Sequence, residues 1–206
     1  MTGLFPKRFK TMTASLEDLT DKISDVSPIE LLNILSKEHD LPRVIPIDVE
    51  KIASILGIKI SRSLDPDFCE DENISLYDVG CISYKNRQPL IWLNPLEHTY
   101  KTRERFTLAH EIGHYIKHIL PSPDQKIFVD TGKSISRSKS YGNTLEFEAN
   151  KFAAILLMPR SLVQKQAERI RDEEDTITNS CLIEKLATIF DVSIQSMTYR
   201  FKNLDL

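Results

Sequence analysis

The chain has no apolar run long enough to cross a membrane: the stretch ending at Met158 falls far short of the roughly 20 residues a spanning helix needs. Neither sign of charge dominates. The 27 Lys and Arg against 30 Asp and Glu leave a net charge of −3, which argues against a general nucleic-acid binder and leaves room only for a local basic patch. Cysteine is scarce. Cys69, Cys81 and Cys181 are odd in number and widely spaced, fitting neither a disulfide framework nor a Cys-x-x-Cys zinc site, so they are read as reduced thiols. The first residues are basic without the apolar stretch of a secretory signal. Together these absences predict a cytoplasmic protein with no membrane association. Internal repeats and coiled-coil heptads are also missing. What is present is 206 residues, 41% hydrophobic and 28% charged, enough for one core and at most a small satellite without metal or disulfide staples.

Along the chain, Leu16, Leu19, Ile23 and Val26 have helical spacing, but residues 1–26 lack clear boundary signals and their order is left open. Ser27-Pro28-Ile29-Glu30 predicts a capped helix from Pro28 to about Lys37. Asp48 predicts a second, which Gly57 stops in a left-handed conformation. Ile58-Lys59-Ile60 reads as a strand, and the acidic segment from Asp65 to Asp78 as a surface excursion. Two β-prone runs around the turn Lys85-Asn86-Arg87-Gln88 predict a hairpin whose second strand could offer an open edge to an extended peptide. Asn94-Pro95-Leu96-Glu97 repeats the helix-start pattern before a long helix from about Thr102 to Ile119. Residues 121–143 read as a mobile surface loop with one short strand, Ile127-Phe128-Val129, and a basic stretch from Lys133 to Lys139. A helix from Thr144 to Met158 ends at Pro159, Ser161 is expected to cap the next, and two final helices flank Asp191-Val192-Ser193.

The chemistry centres on His110-Glu111-Ile112-Gly113-His114. Histidines at i and i+4 project from one helix face within reach of a single ion, and neutral imidazoles suit Zn²⁺. Glu111 between them is placed to act as a base toward the water that such an ion activates, not to bind the ion. A third protein ligand is needed, with the fourth position left open. Lys117 and Leu120 exclude the extended metzincin motif. His118, four residues beyond His114, drifts around the helix and is equally explained by hydrogen bonding. On the next helix Ala149, Phe152, Ala153 and Leu156 mark the core face, and three residues back lies Glu146, the favoured third ligand. Glu148 lies about 200° around the helix from it and is the alternative. Asn150 could fix a histidine tautomer through the non-ligating nitrogen, or simply be solvated. Tyr115, Tyr141 and Arg105 are chemically suited to stabilise an oxyanion, but the sequence singles out none of them.

Ala53-Ser-Ile-Leu-Gly57-Ile58, Arg105 to His114, Glu146-x-Glu148-Ala149-Asn150-x-Phe152-Ala153 and Leu156-Leu157-Met158-Pro159 occur in that order, and the chain from about residue 28 to 160 resembles the ImmA/IrrE metallopeptidases. The resemblance implies an α+β fold. It consists of a minimal zincin-like domain over 27–160, with a small, mostly antiparallel sheet packed on helices, followed by a helical C-terminal extension over 161–206. It also implies a gluzincin-like His, His, Glu zinc site and cleavage of a helix-turn-helix (XRE-like) repressor in phage, mobile-element or stress-response control. Gluzincins place Asp four residues after the ligand glutamate, and here that position holds Asn150. Two rival readings stand beside this one. The helices from Leu182 to Phe201 resemble a helix-turn-helix with Arg200 and Lys202 on its second helix, which would make the chain a DNA-binding regulator. Alternatively, zinc would only stabilise a toxin-antitoxin component without turnover, though a purely structural site needs no general base such as Glu111. Oligomeric state is not legible.

Overall fold

In the computed structural model, residues 8–65, 69–70, 74–75, 78–86, 88–97, 100–122, 127–131 and 140–206 are described. The helical spacing near the N-terminus does form a helix, α1 (Arg8–Ile23), which buries Leu19 and Ile23. At α2 (Pro28–Glu38) the Ser27 hydroxyl accepts from the Glu30 amide at 3.3 Å, while the Glu30 carboxylate accepts from the Ser27 amide at 2.8 Å. Two orphan helix-start donors are thereby satisfied reciprocally. Asp48 accepts from the Lys51 amide at 2.9 Å to start α3 (Val49–Ile55), and Gly57 takes the left-handed φ of +68° expected after it.

Four strands form one sheet among the described residues: β1 (Lys59–Ser61), β2 (Asp78–Lys85), β3 (Gln88–Leu93) and β4 (Ile127–Thr131), in the order β1-β3-β2-β4. β2 pairs antiparallel with both β3 and β4, and β1 lies parallel to β3. The predicted hairpin is therefore present, turning at Asn86 with φ of +51°. Arg87 lies outside the described residues. The expectation of an open edge on the second hairpin strand is corrected, since β3 is paired on both sides and its ladder groups are used within the sheet. The acidic excursion is not wholly on the surface either. Cys69 and Ile74 join Cys81 and Trp92 in a small buried cluster, and the Trp92 indole donates to the Ser63 carbonyl at 2.7 Å.

Asn94-Pro95-Leu96-Glu97 makes a turn and not a helix. The Asn94 side-chain oxygen accepts from the Leu96 amide at 2.9 Å, and its amide nitrogen donates to the Asp78 carbonyl at 2.8 Å, tying the turn back to β2. This is the competing use that makes asparagine a turn former as well as a helix cap. Helix α4 begins later, spanning Lys101–His114, and continues as a π-helical turn over Tyr115–Ile119 in which the Leu120 amide bonds the Tyr115 carbonyl at 2.9 Å. Next come α5 (Ser140–Leu157), α6 (Arg160–Glu173), α7 (Asn179–Phe190) and α8 (Ile194–Asn203). Pro159, not Ser161, occupies the cap position of α6.

The fold is α+β with a helical C-terminal region. α4 is its centre: it packs against β2 on one side and α5 on the other. Gly113 permits the second contact, because a Cβ there would meet Phe152 Cβ at 3.1 Å and the Ala149 carbonyl oxygen at 3.3 Å. Leu108, Ile112, Phe152, Ala153 and Leu156 are buried at and around this seam, and Leu182, Phe190, Met197 and Phe201 of α7 and α8 belong to the same continuous core. Burial of such side chains supplies about 1.5–3 kcal/mol each. Arg200 is half-buried and its Nε donates to the Met158 carbonyl at 2.9 Å. That basic group therefore serves the packing of α8 onto the end of α5.

Candidate metal centre

The i, i+4 spacing on α4 puts the His110 and His114 Nε2 atoms 2.9 Å apart, with the rings edge-on at 74°. Across the seam Glu146, half-buried on α5, brings Oε2 to 3.2 Å from His110 Nε2 and Oε1 to 3.3 Å from His114 Nε2. Glu146, which the core-face reading of α5 favours, is thus the carboxylate the fold sets against the two histidines. These three side chains present ligand atoms all within 4.8 Å of one another.

The proton arrangement around them fits a cation. The Asn150 carbonyl oxygen lies 3.2 Å from His110 Nδ1 and can only accept, so Nδ1 carries a proton and Nε2, which faces the trio, is the nitrogen left to bind an ion. Asn150 thus contacts the nitrogen of His110 that faces away from the trio, the contact needed to fix a tautomer. Burial pushes the His114 imidazole from its ordinary 6.5 down to about 4, against the raising effect of the Glu146 carboxylate. Burial alone would raise Glu146, but its contacts with the His110 and His114 imidazoles outweigh that and hold the carboxyl at about 2. A neutral His114 imidazole and an ionised Glu146 carboxylate are protonation states that metal binding requires.

The buried His114 has a measurable consequence for the metal-free chain. Once unfolded, it takes up a proton below about pH 6.5, whereas folded it does so only near 4. The unfolded chain therefore binds more protons between these values. Stability falls as pH is lowered through that window, by up to about 3 kcal/mol from this residue. Urea midpoints of zinc-free protein should drop between about pH 7 and about pH 4.5, and the drop should shrink in His114→Asn; equal drops in both would contradict it.

Glu111 is fully buried on α4. A Cβ at Gly80 would stand 3.3 Å from Glu111 Oε1 and 2.7 Å from Thr107 Cγ2, so β2 can lie against this carboxylate only with glycine at that point. Glu148 is not brought to the trio. It is about half exposed, and its Oε2 lies 3.1 Å from His118 Nε2. His118 is not among the three grouped side chains either: its Nδ1 lies 3.0 Å from His114 Nδ1. The i+4 step from His114 is the signal that could have pointed to this contact, because the π turn just after His114 widens the helix and keeps His118 beneath it. Of the groups suited to an oxyanion, Tyr115 is buried beside Tyr84 with ring centroids 6.0 Å apart, and burial raises its phenol above the ordinary value. Arg105 donates from Nε to the Asp191 carbonyl and from Nη2 to the Ile47 carbonyl, both at 3.1 Å, and so ties α4 to the α7–α8 turn. The Tyr141 side chain and the Lys133–Lys139 stretch lie outside the described residues.

A helix carrying a His-Glu-x-x-His pair, braced by a small sheet and faced by a helix that supplies a glutamate, defines a metallopeptidase-type centre. The chain belongs to the peptidase M78 family, whose model, described as an IrrE N-terminal-like domain, matches residues 70–202. That span includes α4, α5 and every residue of the candidate centre. Comparison with curated proteins finds no match. No helix among the described residues is long and apolar enough to cross a membrane.

Proposed function

We propose that the protein is a zinc-dependent endopeptidase, acting in the cytoplasm on a regulatory protein, with a helix-turn-helix repressor as the substrate class. The observation that carries the chemistry is the convergence of two imidazole nitrogens and one carboxylate on a single point, with a buried glutamate between the two histidines in sequence. His110, His114 and Glu146 would hold the ion, and three protein ligands leave a position open as hydrolytic sites require. When bound, zinc supplies Lewis acidity, polarising a peptide carbonyl and making water acidic enough to be deprotonated near neutral pH.

The remaining chemistry belongs to this chain's side chains. Glu111 accepts the proton of the attacking water on its carboxylate and returns it to the nitrogen of the leaving amine. Asn150 keeps the His110 ring from rotating by accepting from Nδ1–H. The repressor class rests on the family resemblance, and a cytoplasmic site of action is in keeping with reduced cysteines. The test is incubation of the zinc-loaded chain with a panel of helix-turn-helix repressors, read by product mass. Cleavage of at least one at a defined bond, absent with Glu111→Gln, is expected. Cleavage by both proteins alike would assign the activity to a contaminant, and no cleavage of any repressor would remove the substrate class.

A further inference from the structure

Glu148 and His118 are left over by the zinc site, yet they are bonded to one another and to it. His114 Nδ1 meets His118 Nδ1 at 3.0 Å, and His118 Nε2 meets Glu148 Oε2 at 3.1 Å. In the first contact either nitrogen could be the donor. The second narrows it. A carboxylate accepts, so His118 Nε2 carries a proton, and a ring with that single proton presents its lone pair on Nδ1, to which His114 donates from Nδ1–H. That leaves the His114 lone pair on Nε2, the atom that faces His110 and Glu146. The reverse arrangement would set a lone pair on His118 Nε2 against the carboxylate.

We infer that His118 and Glu148 are positioning residues, a carboxylate–histidine–histidine chain that fixes the tautomer and ring orientation of His114 for metal binding. The inference rests on the zinc-site reading above. Each ligand histidine then has its outer nitrogen held by an acceptor: His110 Nδ1 by the Asn150 carbonyl oxygen, and His114 Nδ1 by His118. The relay spans the seam between α4 with its π turn and α5, so it also fixes how the two ligand-bearing helices sit.

The test is zinc affinity of the full chain, by competition with a chromophoric chelator, in wild type, His118→Leu, Glu148→Ala, Glu148→Gln and the His118→Leu/Glu148→Ala double variant. Loss of a group that orients a ligand typically costs 10- to 100-fold in affinity. His118→Leu and Glu148→Ala should each fall in that range. Glu148→Gln, whose carbonyl oxygen can still accept from His118, should recover much of the loss. The double variant should bind no more weakly than His118→Leu, because Glu148 acts only through His118. Wild-type affinity in both single variants would overturn the relay, as would a full additive loss in the double. Should His118→Leu not fold, the half-exposed Glu148 still decides the matter: recovery in Glu148→Gln supports the relay, and equal loss in the Ala and Gln variants contradicts it. A wild type that binds no zinc would instead remove the site reading, and this inference with it.

Discussion

Glu111→Gln is expected to keep its zinc and its fold while lowering peptide hydrolysis by about a thousandfold, within the range a positioned acid–base group supplies. The amide has nearly the shape of the carboxylate, which matters here because Glu111 is fully buried, with β2 lying against it at Gly80. Truncation to alanine would confound lost chemistry with a cavity. Glutamine cannot take a proton at neutral pH, so it removes the step at which water loses one and the leaving amine gains one. Single-turnover cleavage of an identified substrate, with zinc content measured on the same samples, is the appropriate assay. A variant that cleaves at close to the wild-type rate would show that the proton is handled elsewhere. One that loses its zinc would show that Glu111 belongs to the ligand set.

Zinc should raise the melting temperature of the wild type by a large and Glu146-dependent amount. An ion bound only by the folded chain stabilises it by RT ln(1 + [L]/Kd), about 4 kcal/mol at a thousandfold excess over Kd. For a chain of this length that corresponds to roughly 8–16 °C. Glu146 contacts both ligand histidines, so Glu146→Ala should abolish most of the shift while Glu111→Gln preserves it. The metal-free melting temperature of Glu146→Ala separates this effect from damage to the fold, because the zinc-induced shift of each protein is read against its own metal-free value. An undiminished shift in Glu146→Ala would place the third ligand elsewhere.

The centre was legible where it depends on helical periodicity. Two histidines four apart share a face on any helix, and the apolar positions of α5 pointed Glu146 at them without knowledge of the fold. What escaped is tertiary. The bond from His118 to Glu148 joins residues 30 apart, and a π turn leaves no mark in hydrophobic spacing. The same distinction runs through the fold. Ser27 and Asp48 cap helices as their local patterns predict, because a cap needs only the next three residues. Asn94 offers the same local pattern, but its side-chain amide finds the Asp78 carbonyl on β2 and closes a turn. The hairpin of β2 and β3 was readable from its turn, whereas the arrival of β1 on the far side of β3, which removes its open edge, depends on a parallel pairing between segments 31 residues apart in register. Cys69 and Ile74 lie in a stretch whose acidic, turn-rich composition reads as solvated, and only their packing on Trp92 and Cys81 shows otherwise. The α6 start shows a smaller displacement of this kind, since Pro159 with its fixed φ opens the helix before Ser161 can cap it.

The most direct measurement is zinc content by elemental analysis, after removal of adventitious metal, on the wild type beside His110→Ala, Glu111→Gln, Glu146→Ala and Glu148→Ala. About one zinc per chain is expected in the wild type and Glu111→Gln, none in His110→Ala and Glu146→Ala, and a weakened but stoichiometric site at saturating zinc in Glu148→Ala. Loss of zinc from Glu148→Ala with retention in Glu146→Ala would contradict the ligand set, and a wild type without zinc under the same conditions would contradict the metallopeptidase centre itself.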